Sequence, residues 1–255
     1  MGGESLRIMI RVVLSEPFAG LRSFAEQLPE QFAASGETLF RGRNEIRRFE
    51  VEGVPVVVKK FRNNRLKQLL SLVRRGKAEK SYRHGCRLEQ LGVPTPTPMG
   101  YVELRSRLGL VREAYYLSAY IPYPSLVEVN PSEEHFNRAL MTDFARFVAG
   151  LHGLGVLHDD LNTGNVRCEE RAEGMRFWLI DINRMRFAKE GKPLSRKACF
   201  GNVVRFSYNT PMFHHFLHAY LEARGWSERL FEEALVRKVR HDRFTEWKRS
   251  LKGRR

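Results

Sequence analysis

The stretch His158-Asp159-Asp160-Leu161-Asn162-Thr163-Gly164-Asn165, followed further along by Asp181-Ile182-Asn183, decides how this chain is interpreted. Transfer of a phosphoryl group requires a carboxylate beside the attacking hydroxyl and ligands for the Mg²⁺ ions that neutralise the moving phosphate. Asp160 can accept the hydroxyl proton, Asn165 can hold one Mg²⁺ through its amide oxygen, and Asp181 can join a second Mg²⁺ to nucleotide phosphates. The stretch therefore predicts phosphoryl transfer, with Asp160 as the base and with ATP and Mg²⁺ as cofactors.

The order of these residues is that of a kinase catalytic loop and metal-binding turn, H-x-D-x-x-x-x-N and then D-x-G. Asn183 takes the place of the last glycine and is a residue that also tolerates left-handed backbone angles. A helical apolar stretch, residues 144–154, precedes the loop, and the apolar run 175–180 delivers Asp181 at the end of a strand. An ordinary polar turn is the alternative, and the order and spacing of the three side chains disfavour it.

Three segments of the chain resemble the bacterial lipopolysaccharide kinases, the Kdo and heptose kinases related to eukaryotic-type protein kinases. They are residues 151–165 (LHGLGVLHDDLNTGN), residues 179–187 (LIDINRMRF) and the turn at residues 92–98 (GVPTPTP). The resemblance implies an α+β, two-lobed protein-kinase-like fold, with a small antiparallel-sheet lobe and a mainly helical C-terminal lobe. It also implies a sugar hydroxyl of the lipopolysaccharide core as the phosphoryl acceptor.

The apolar periodicity predicts the elements that such a fold requires. Strands are expected at residues 6–14, 38–40, 46–51, 54–61, 99–104 and 110–120, and helices at residues 18–28, over most of 62–91, at 131–154 and from about 211 onward. Ser132 is the expected cap of the third helix. Residues 1–120 would form the N-terminal lobe with its helix C equivalent, residues 121–124 the hinge, and residues 125–255 the helical lobe with the catalytic loop and a basic tail.

Further nucleotide-binding residues are expected in the N-terminal half. Lys59 follows three valines, as does the phosphate-binding lysine of the V-A-I-K strand, while alternation places Lys60 on the opposite face and leaves it as the alternative. Gly42 is the remaining glycine of a degraded glycine-rich loop, and a plain basic hairpin turn is equally compatible with it. Glu79 is the candidate acidic partner of the lysine, and a solvated helix residue is the other interpretation.

The catalytic loop also departs from that of protein kinases. Asp159 replaces the arginine of H-R-D, Asn162 replaces the catalytic-loop lysine, and no A-P-E segment follows Asp181. This pattern is more typical of small-molecule and sugar kinases. His152 and His158 are expected to pack and shape the loop, because Asp160 already supplies a base.

The net charge of +15 over 255 residues indicates an anionic partner. Cations concentrate in residues 59–87, where the amphipathic segment 65–75 suits either a membrane surface or ordinary packing, and in the tail. The tail cations are Arg237, Lys238, Arg240, Arg243, Lys248, Arg249, Lys252, Arg254 and Arg255. Trp247 can anchor the tail at a lipid interface, and a disordered solubilising tail is the alternative.

We expect an anionic glycolipid or sugar as substrate and peripheral contact with an anionic membrane. Nucleic acid is disfavoured, because few aromatic residues interleave the basic clusters. No apolar run approaches the roughly 20 residues of a membrane-spanning helix, and residues 6–14 are too short for an export signal. Cys86, Cys168 and Cys199 are therefore expected to be reduced, in the cytosol or on the inner face of the cytoplasmic membrane.

Three rival functions remain open from the sequence. A soluble small-molecule kinase of the aminoglycoside or choline type shares the H-x-D-L-x-x-x-N loop but does not need the basic segments. A Rio-like protein kinase acting on a ribonucleoprotein would use the positive charge as an RNA footprint. A pseudokinase binding module agrees with the degraded glycine loop, but the retained Asp160, Asn165 and Asp181 oppose it.

Overall fold

The computed structural model describes residues 8–62, 75–208 and 210–253. The chain divides into two compact units, and the boundary falls between Pro122 and Tyr123. No helix within the described ranges is both long and apolar enough to cross a membrane.

The first unit is built on a six-stranded antiparallel sheet. Its strands are β1 (Met9–Leu14), β2 (Glu37–Arg41), β3 (Asn44–Val51), β4 (Val54–Arg62), β5 (Pro98–Arg105) and β6 (Val111–Ala119). Their order across the sheet is β1-β5-β6-β4-β3-β2. The strand predictions hold to within one or two residues at most ends.

Helices cover both faces of this sheet. On one face a 3₁₀ helix (Glu16–Leu21), α1 (Arg22–Glu26) and α2 (Leu28–Ala34) pack on the apolar residues of β4, β5 and β6. The predicted helix at 18–28 is thus broken into short pieces and continues to Ala34, and Pro29 sits in the first turn of α2, where a missing N–H is tolerated. On the other face α3 (Lys77–Gln90) lies against Phe61, Tyr101 and Tyr116.

The second unit is mainly helical. Its helices are α4 (Leu126–Val129), α5 (Arg138–Gly153), α6 (Arg196–Val203), α7 (Pro211–Ala223) and α8 (Leu230–Gly253). Two antiparallel strand pairs accompany them, β7 (Val156–His158) with β10 (Met185–Phe187), and β8 (Val166–Arg171) with β9 (Gly174–Leu179). Helix α6 was not predicted.

An aromatic core holds α5 and α7 together. The ring of Phe144 lies 5.2 Å from that of Phe177, 4.9 Å from Phe206 and 5.6 Å from Phe216, measured between centroids. Such aromatic contacts stabilise a core beyond the area they bury. Because β9 carries Phe177, this core also fixes the strand that leads to Asp181.

The prediction of a helix over residues 131–154 capped by Ser132 is wrong at its start. Helix α5 begins at Arg138, and its cap is Asn137, whose side chain accepts the N–H of Leu140 at 3.1 Å. Ser132 Oγ instead accepts the N–H of His135 at 2.8 Å, which closes a separate turn. Ser132 and Asn137 both belong to the residue types that cap helices. Their side-chain bonds to nearby backbone N–H groups favour two separate turns over one continuous helix from residue 131.

The alternative of a disordered tail is also wrong for the part of the tail that the structure describes. Helix α8 continues to Gly253, and Lys238 is completely buried. The basic amphipathic segment 65–75 lies outside the described residues except for Arg75, as do Arg254, Arg255 and the first part of the strand expected at residues 6–14.

Candidate active site

The loop that carries Asp160 is shaped by two side-chain amides. Asn162 Nδ2 and Asn165 Nδ2 donate to the backbone carbonyl of Asp160 at 2.9 and 2.8 Å, and Asn162 Oδ1 accepts the N–H of Gly164 at 3.0 Å. Local bonds of this type hold a turn in one conformation. They anchor the backbone of Asp160, whose carboxylate remains about one-third exposed (35%).

His158 joins this loop to the end of β9. Its Nδ1 accepts the backbone N–H of Asp160 at 3.1 Å, and its Nε2 lies 2.9 Å from the carbonyl oxygen of Ile180. Because one nitrogen must accept while the other donates, the ring is neutral with its proton on Nε2. Burial lowers the pKa of His158 and favours the same state. The expected role of His158 in shaping the loop agrees with these contacts.

A second buried histidine, His152, is linked to the loop through Asn202. His152 Nδ1 lies 2.6 Å from the hydroxyl of Tyr220, and its Nε2 lies 3.0 Å from Oδ1 of Asn202. The amide nitrogen of Asn202 donates to the carbonyl of His158 at 2.6 Å. Burial lowers the pKa of His152 to about 4, so the ring is neutral at physiological pH. This network ties α5, α6 and α7 to the strand that delivers Asp160.

A glycine makes the turn from α5 into that strand. Gly155 has a φ of +76°, in the left-handed region, and a Cβ there would lie 2.9 Å from the Cβ of Ala188. Only glycine adopts this conformation without strain, and it commonly ends helices in this way. The turn sends the chain directly into β7 and on to His158.

Two arginines from the segment after Asp181 contact the two loop carboxylates. Arg186 binds Asp159 through two bonds, from Nε to Oδ2 at 2.5 Å and from Nη2 to Oδ1 at 2.7 Å. Arg184 makes a single, longer contact, from Nη1 to Oδ2 of Asp160 at 3.4 Å. Asp159, which occupies the position of the H-R-D arginine, therefore holds the catalytic loop to β10 through an ion pair.

The backbone at Asp181 is left-handed, with φ 54° and ψ 44°. The sequence suggested Asn183 for this conformation, and that expectation is wrong, because Asn183 lies in a 3₁₀ helix, Ile182–Arg184. Aspartate tolerates left-handed angles better than most residues, but holding them still requires support from the surroundings. Asn183 supplies part of that support, because its side-chain amide donates to Oδ1 of Asp181.

The chain beside Asp181 is bonded to Asn165, the other residue of the proposed metal site. The backbone N–H of Ile180, the residue before Asp181, donates to the carbonyl of Asn165 at 3.0 Å. The Nδ2 of Asn165 is bonded to the loop, so its amide oxygen is the potential ligand. One carboxylate and one amide oxygen suit Mg²⁺, which usually takes few protein ligands and completes its shell with water and phosphate oxygens. The residues therefore fit the metal.

In the first unit, Lys59 and Lys60 lie on opposite faces of β4. Lys60 Nζ pairs with Oε2 of Glu113 at 2.8 Å and lies over the rings of Phe32 and Tyr115, on the face covered by α2. Lys59 Nζ lies 5.4 Å from the ring centroid of Phe61, on the face covered by α3. Lys60 is thus committed to a structural ion pair, which favours Lys59 as the phosphate ligand.

Glu79, on α3, is not a solvated helix residue. It is 7% exposed, and its Oε1 lies 3.2 Å from Nε of Arg75 and 3.1 Å from Nε of Arg83. Gly42 lies in the turn between β2 and β3, where its N–H donates to the carbonyl of Asn44. Its place agrees equally with a residual nucleotide loop and with a hairpin turn, so its role stays a prediction.

Comparison with known proteins shows the family to which this chain belongs. Residues 59–198 match the model of the lipopolysaccharide kinase (Kdo/WaaP) family, which is more than half of the chain. The chain belongs to this family. The matched region contains Lys59, Glu79, Asp160, Asn165 and Asp181, and it leaves out Gly42 and helix α8. The resemblance seen in the sequence is therefore confirmed.

Curated relatives agree with the family over a shorter segment. A 3-deoxy-D-manno-octulosonic acid kinase of Haemophilus influenzae (strain PittEE) is 24% identical over 98 residues, which are 38% of this chain and 41% of that protein. The corresponding kinase of Pasteurella multocida is 28% identical over 97 residues, which are 38% of this chain and 40% of that protein. The matches thus span about two fifths of the relatives' length.

The solved structure of WaaP in complex with acyl carrier protein has the same fold as this chain. It superimposes with a TM-score of 0.63 at 21% identity and covers 91% of this chain and 97% of that chain. The predicted fold class, an α+β protein-kinase-like fold with an antiparallel sheet unit and a helical unit, is confirmed.

Sequence reasoning assigned no role to the side chains of Asn183, Arg184, Arg186 and Asn202. The first three lie inside the segment that carried the family resemblance, LIDINRMRF. Asn202 lies more than 40 residues from His158 and is followed by no recognisable motif, so only the folded chain brings the two together.

Proposed function

We propose that this chain is an ATP- and Mg²⁺-dependent kinase that transfers the γ-phosphoryl group to a sugar hydroxyl of the lipopolysaccharide core. The observation that carries the proposal is the placement of a partly exposed Asp160 carboxylate on a loop bonded to both Asn165 and the strand end before Asp181. The family description and the names of the curated relatives support Kdo as the first acceptor to test, with heptose as the second.

In this proposal Asp160 orients the acceptor hydroxyl and takes its proton as the oxygen bonds to the γ-phosphorus. The bond between that phosphorus and the bridging oxygen of ADP breaks, and ADP leaves with the electron pair. Asn165 and Asp181 would hold Mg²⁺, which when bound neutralises phosphate charge. Lys59 would bind the α- and β-phosphates, with Glu79 as its acidic partner.

The test is transfer of labelled phosphate from MgATP to extracted core glycolipid, comparing the unmodified protein with Asp160→Asn. The amide keeps the shape of the side chain but cannot take a proton, so transfer should fall by roughly 10²- to 10⁴-fold while nucleotide binding persists. Near-normal transfer by the variant would contradict the assignment. Phosphorylation of free aminoglycosides or choline in preference to glycolipid would favour the soluble small-molecule kinase, and nucleotide binding without any transfer would favour a pseudokinase.

We also propose that the end of α8 contacts an anionic membrane surface. Phe244, Trp247 and Leu251 are exposed at spacings that place them along one side of the helix. Phe244 and Trp247 stack at 5.8 Å between centroids, and Nζ of Lys248 lies 4.2 Å from the ring centroid of Phe244. Aromatic side chains beside cations suit the boundary between lipid headgroups and acyl chains.

Not all of the tail cations can serve this contact. Lys238 is buried, and Arg237 pairs with Glu233 at 3.1 Å. Among the described side chains beyond Asp242, the cations are Arg243, Lys248 and Arg249, with Glu246 as the acid; Arg249 also donates to the neutral hydroxyl of Tyr208 at 2.6 Å and so keeps its charge unpaired by an acid there. The proposed surface is therefore the part of α8 beyond Asp242, on which a glycolipid-bearing membrane would be held by charge and by Trp247.

A further inference from the structure

We infer that Arg184 is a further catalytic residue, whose guanidinium contacts the oxygens of the phosphoryl group during transfer. The inference deepens the proposed kinase function and rests on it. It assigns to Arg184 the cation that the catalytic loop itself lacks, because the loop from His158 to Asn165 contains two carboxylates and no lysine or arginine.

The position of Arg184 carries the inference. Its Nη1 lies 3.4 Å from Oδ2 of Asp160, and the acceptor hydroxyl must bind beside this carboxylate if Asp160 is the base. The backbone of Arg184 is fixed to the loop, because its carbonyl accepts the N–H of Asp159 at 3.3 Å. The short 3₁₀ helix that carries Arg184 follows directly after Asp181, so the backbone of Arg184 is tied to the proposed metal ligand as well as to the proposed base.

The two arginines of this segment differ in how firmly they are held. Arg186 grips Asp159 through two short bonds, as a structural ion pair does. Arg184 makes one longer contact, to a carboxylate that is itself 35% exposed. Both arginine side chains are about half exposed, so the difference lies in their bonds: Arg184 gives up a single weak contact when it turns toward a ligand, whereas Arg186 would give up two short bonds to Asp159, which is 24% exposed.

Asn162 cannot take the same role. Its side chain is neutral, and both of its polar atoms already bond the loop backbone, to the carbonyl of Asp160 and to the N–H of Gly164. A phosphoryl group in transfer carries negative charge on its three peripheral oxygens, and a cation aimed at them lowers the barrier. Among the residues that contact Asp160 in the described chain, Arg184 is the one that brings a positive charge.

Proton transfer and charge stabilisation are linked by this geometry. As the acceptor oxygen bonds to phosphorus, its proton passes to Asp160, and the carboxylate loses its negative charge. The ion pair with Arg184 weakens at that moment, and the guanidinium becomes available to the phosphoryl oxygens. The interaction is then stronger in the transition state than in the ground state, which is the condition for raising kcat.

The experiment compares Arg184→Ala and Arg184→Lys with the unmodified protein in the glycolipid assay. Arg184→Ala should lose roughly 10²- to 10³-fold in kcat with little change in acceptor KM. Arg184→Lys should retain part of the rate, and added guanidinium chloride should restore part of the rate of Arg184→Ala at concentrations that leave its thermal unfolding unchanged. The matched control is Arg146→Ala, which removes an exposed arginine paired with Asp143 at 3.3 Å on α5 and should change nothing.

Several outcomes would overturn the inference. An unchanged kcat in Arg184→Ala would show that the guanidinium does not act in transfer. A rise in acceptor KM with unchanged kcat would show instead that Arg184 binds an anionic group of the acceptor. Loss of rate in both variants without rescue by guanidinium would indicate a structural role. Absence of transfer by the unmodified protein is a different result, because it removes the proposed function and the inference falls with it.

Discussion

The side-chain amide of Asn183 donates a hydrogen bond to Oδ1 of Asp181, whose own backbone is left-handed. The backbone conformation of Asp181 sets the direction of its Cα–Cβ bond, and the hydrogen bond from Asn183 restricts rotation of the carboxylate about its side-chain bonds. Partners that orient a metal ligand typically change metal affinity by roughly 10- to 100-fold when they are removed. We therefore propose that Asn183 is a positioning residue for Asp181, the proposed Mg²⁺ ligand.

This relationship predicts a graded effect on nucleotide binding. Asp181→Ala should abolish the Mg²⁺-dependent part of the thermal stabilisation by ATP, and Asn183→Ala should weaken MgATP binding by roughly tenfold. Thermal shift with ATP in Mg²⁺ and in EDTA measures the metal-dependent part for each variant. If MgATP stabilises Asp181→Ala as well as the unmodified protein, the nucleotide binds elsewhere.

Substitutions of the two lysines of β4 should have different effects on nucleotide affinity and on stability. Lys59→Met should lower nucleotide affinity by roughly 10- to 100-fold, as expected when a charged donor to phosphate is lost. Lys60→Met removes the partly exposed pair with Glu113 and should cost at most about 1 kcal/mol of stability while leaving nucleotide affinity unchanged. Nucleotide titration and urea unfolding of both variants provide the two readouts. The reverse pattern would assign the phosphate contact to Lys60.

Acid should destabilise the protein through His152. Its pKa is lowered in the folded state to about 4 from the ordinary value of 6.5, so the unfolded chain binds more protons between these two values. The stability that the neutral ring supports is thus complete above pH 6.5 and is lost as the pH falls toward 4. From pH 7 to pH 5 this amounts to about 2 kcal/mol.

Urea unfolding at the two pH values measures this effect. In His152→Gln the decrease in unfolding free energy between pH 7 and pH 5 should be smaller than in the unmodified protein by that amount. His158, whose pKa is also lowered, contributes in both proteins and serves as a common background. Equal decreases in the two proteins would show that His152 is not held neutral by the fold.

Lys238 should be essential for the stability of the second unit. Its Nζ donates to the carbonyls of Val204 and Ser207 and pairs with Asp242 at 2.8 Å, all within a buried site. Lys238→Met leaves these acceptors without their donor and should cost about 3 kcal/mol. Arg237→Ala, which breaks a half-exposed pair on the same helix, should cost about 1 kcal/mol or less. Similar chemical denaturation midpoints for the two variants would contradict this assignment.

Binding to anionic vesicles should depend on the end of α8. Each cation near such a surface contributes about 1 kcal/mol, and salt screens the attraction. Arg243→Gln with Lys248→Gln should therefore weaken co-sedimentation, and Trp247→Ala should weaken it further. Arg237→Gln also removes one positive charge from the same helix. It should weaken vesicle binding less than either substitution above, because Arg237 is already paired with Glu233.

The vesicle proposal fails if the unmodified protein does not bind, or if both sets of variants bind equally.

The chain's short-range patterns determined much of this protein. Asp160 and Asn165 lie five positions apart in one loop, and Asp181 follows a single strand, so their order and spacing were enough to predict phosphoryl transfer. Alternation in β4 placed Lys59 and Lys60 on opposite faces, because successive side chains of a strand point to opposite sides. These properties depend on local geometry, which the sequence carries directly.

Only the tertiary structure decided which side chains surround those residues. Arg184 contacts Asp160 although the two are 24 residues apart in the sequence, and Asn202 contacts His158 although they are 44 residues apart. Lys238 likewise binds carbonyls that lie more than 30 residues before it in the chain. The start of α5 at Arg138 was likewise settled by a choice between two competing caps. Contacts of this kind depend on how whole elements pack, and packing follows from the summed burial of many side chains rather than from any local period.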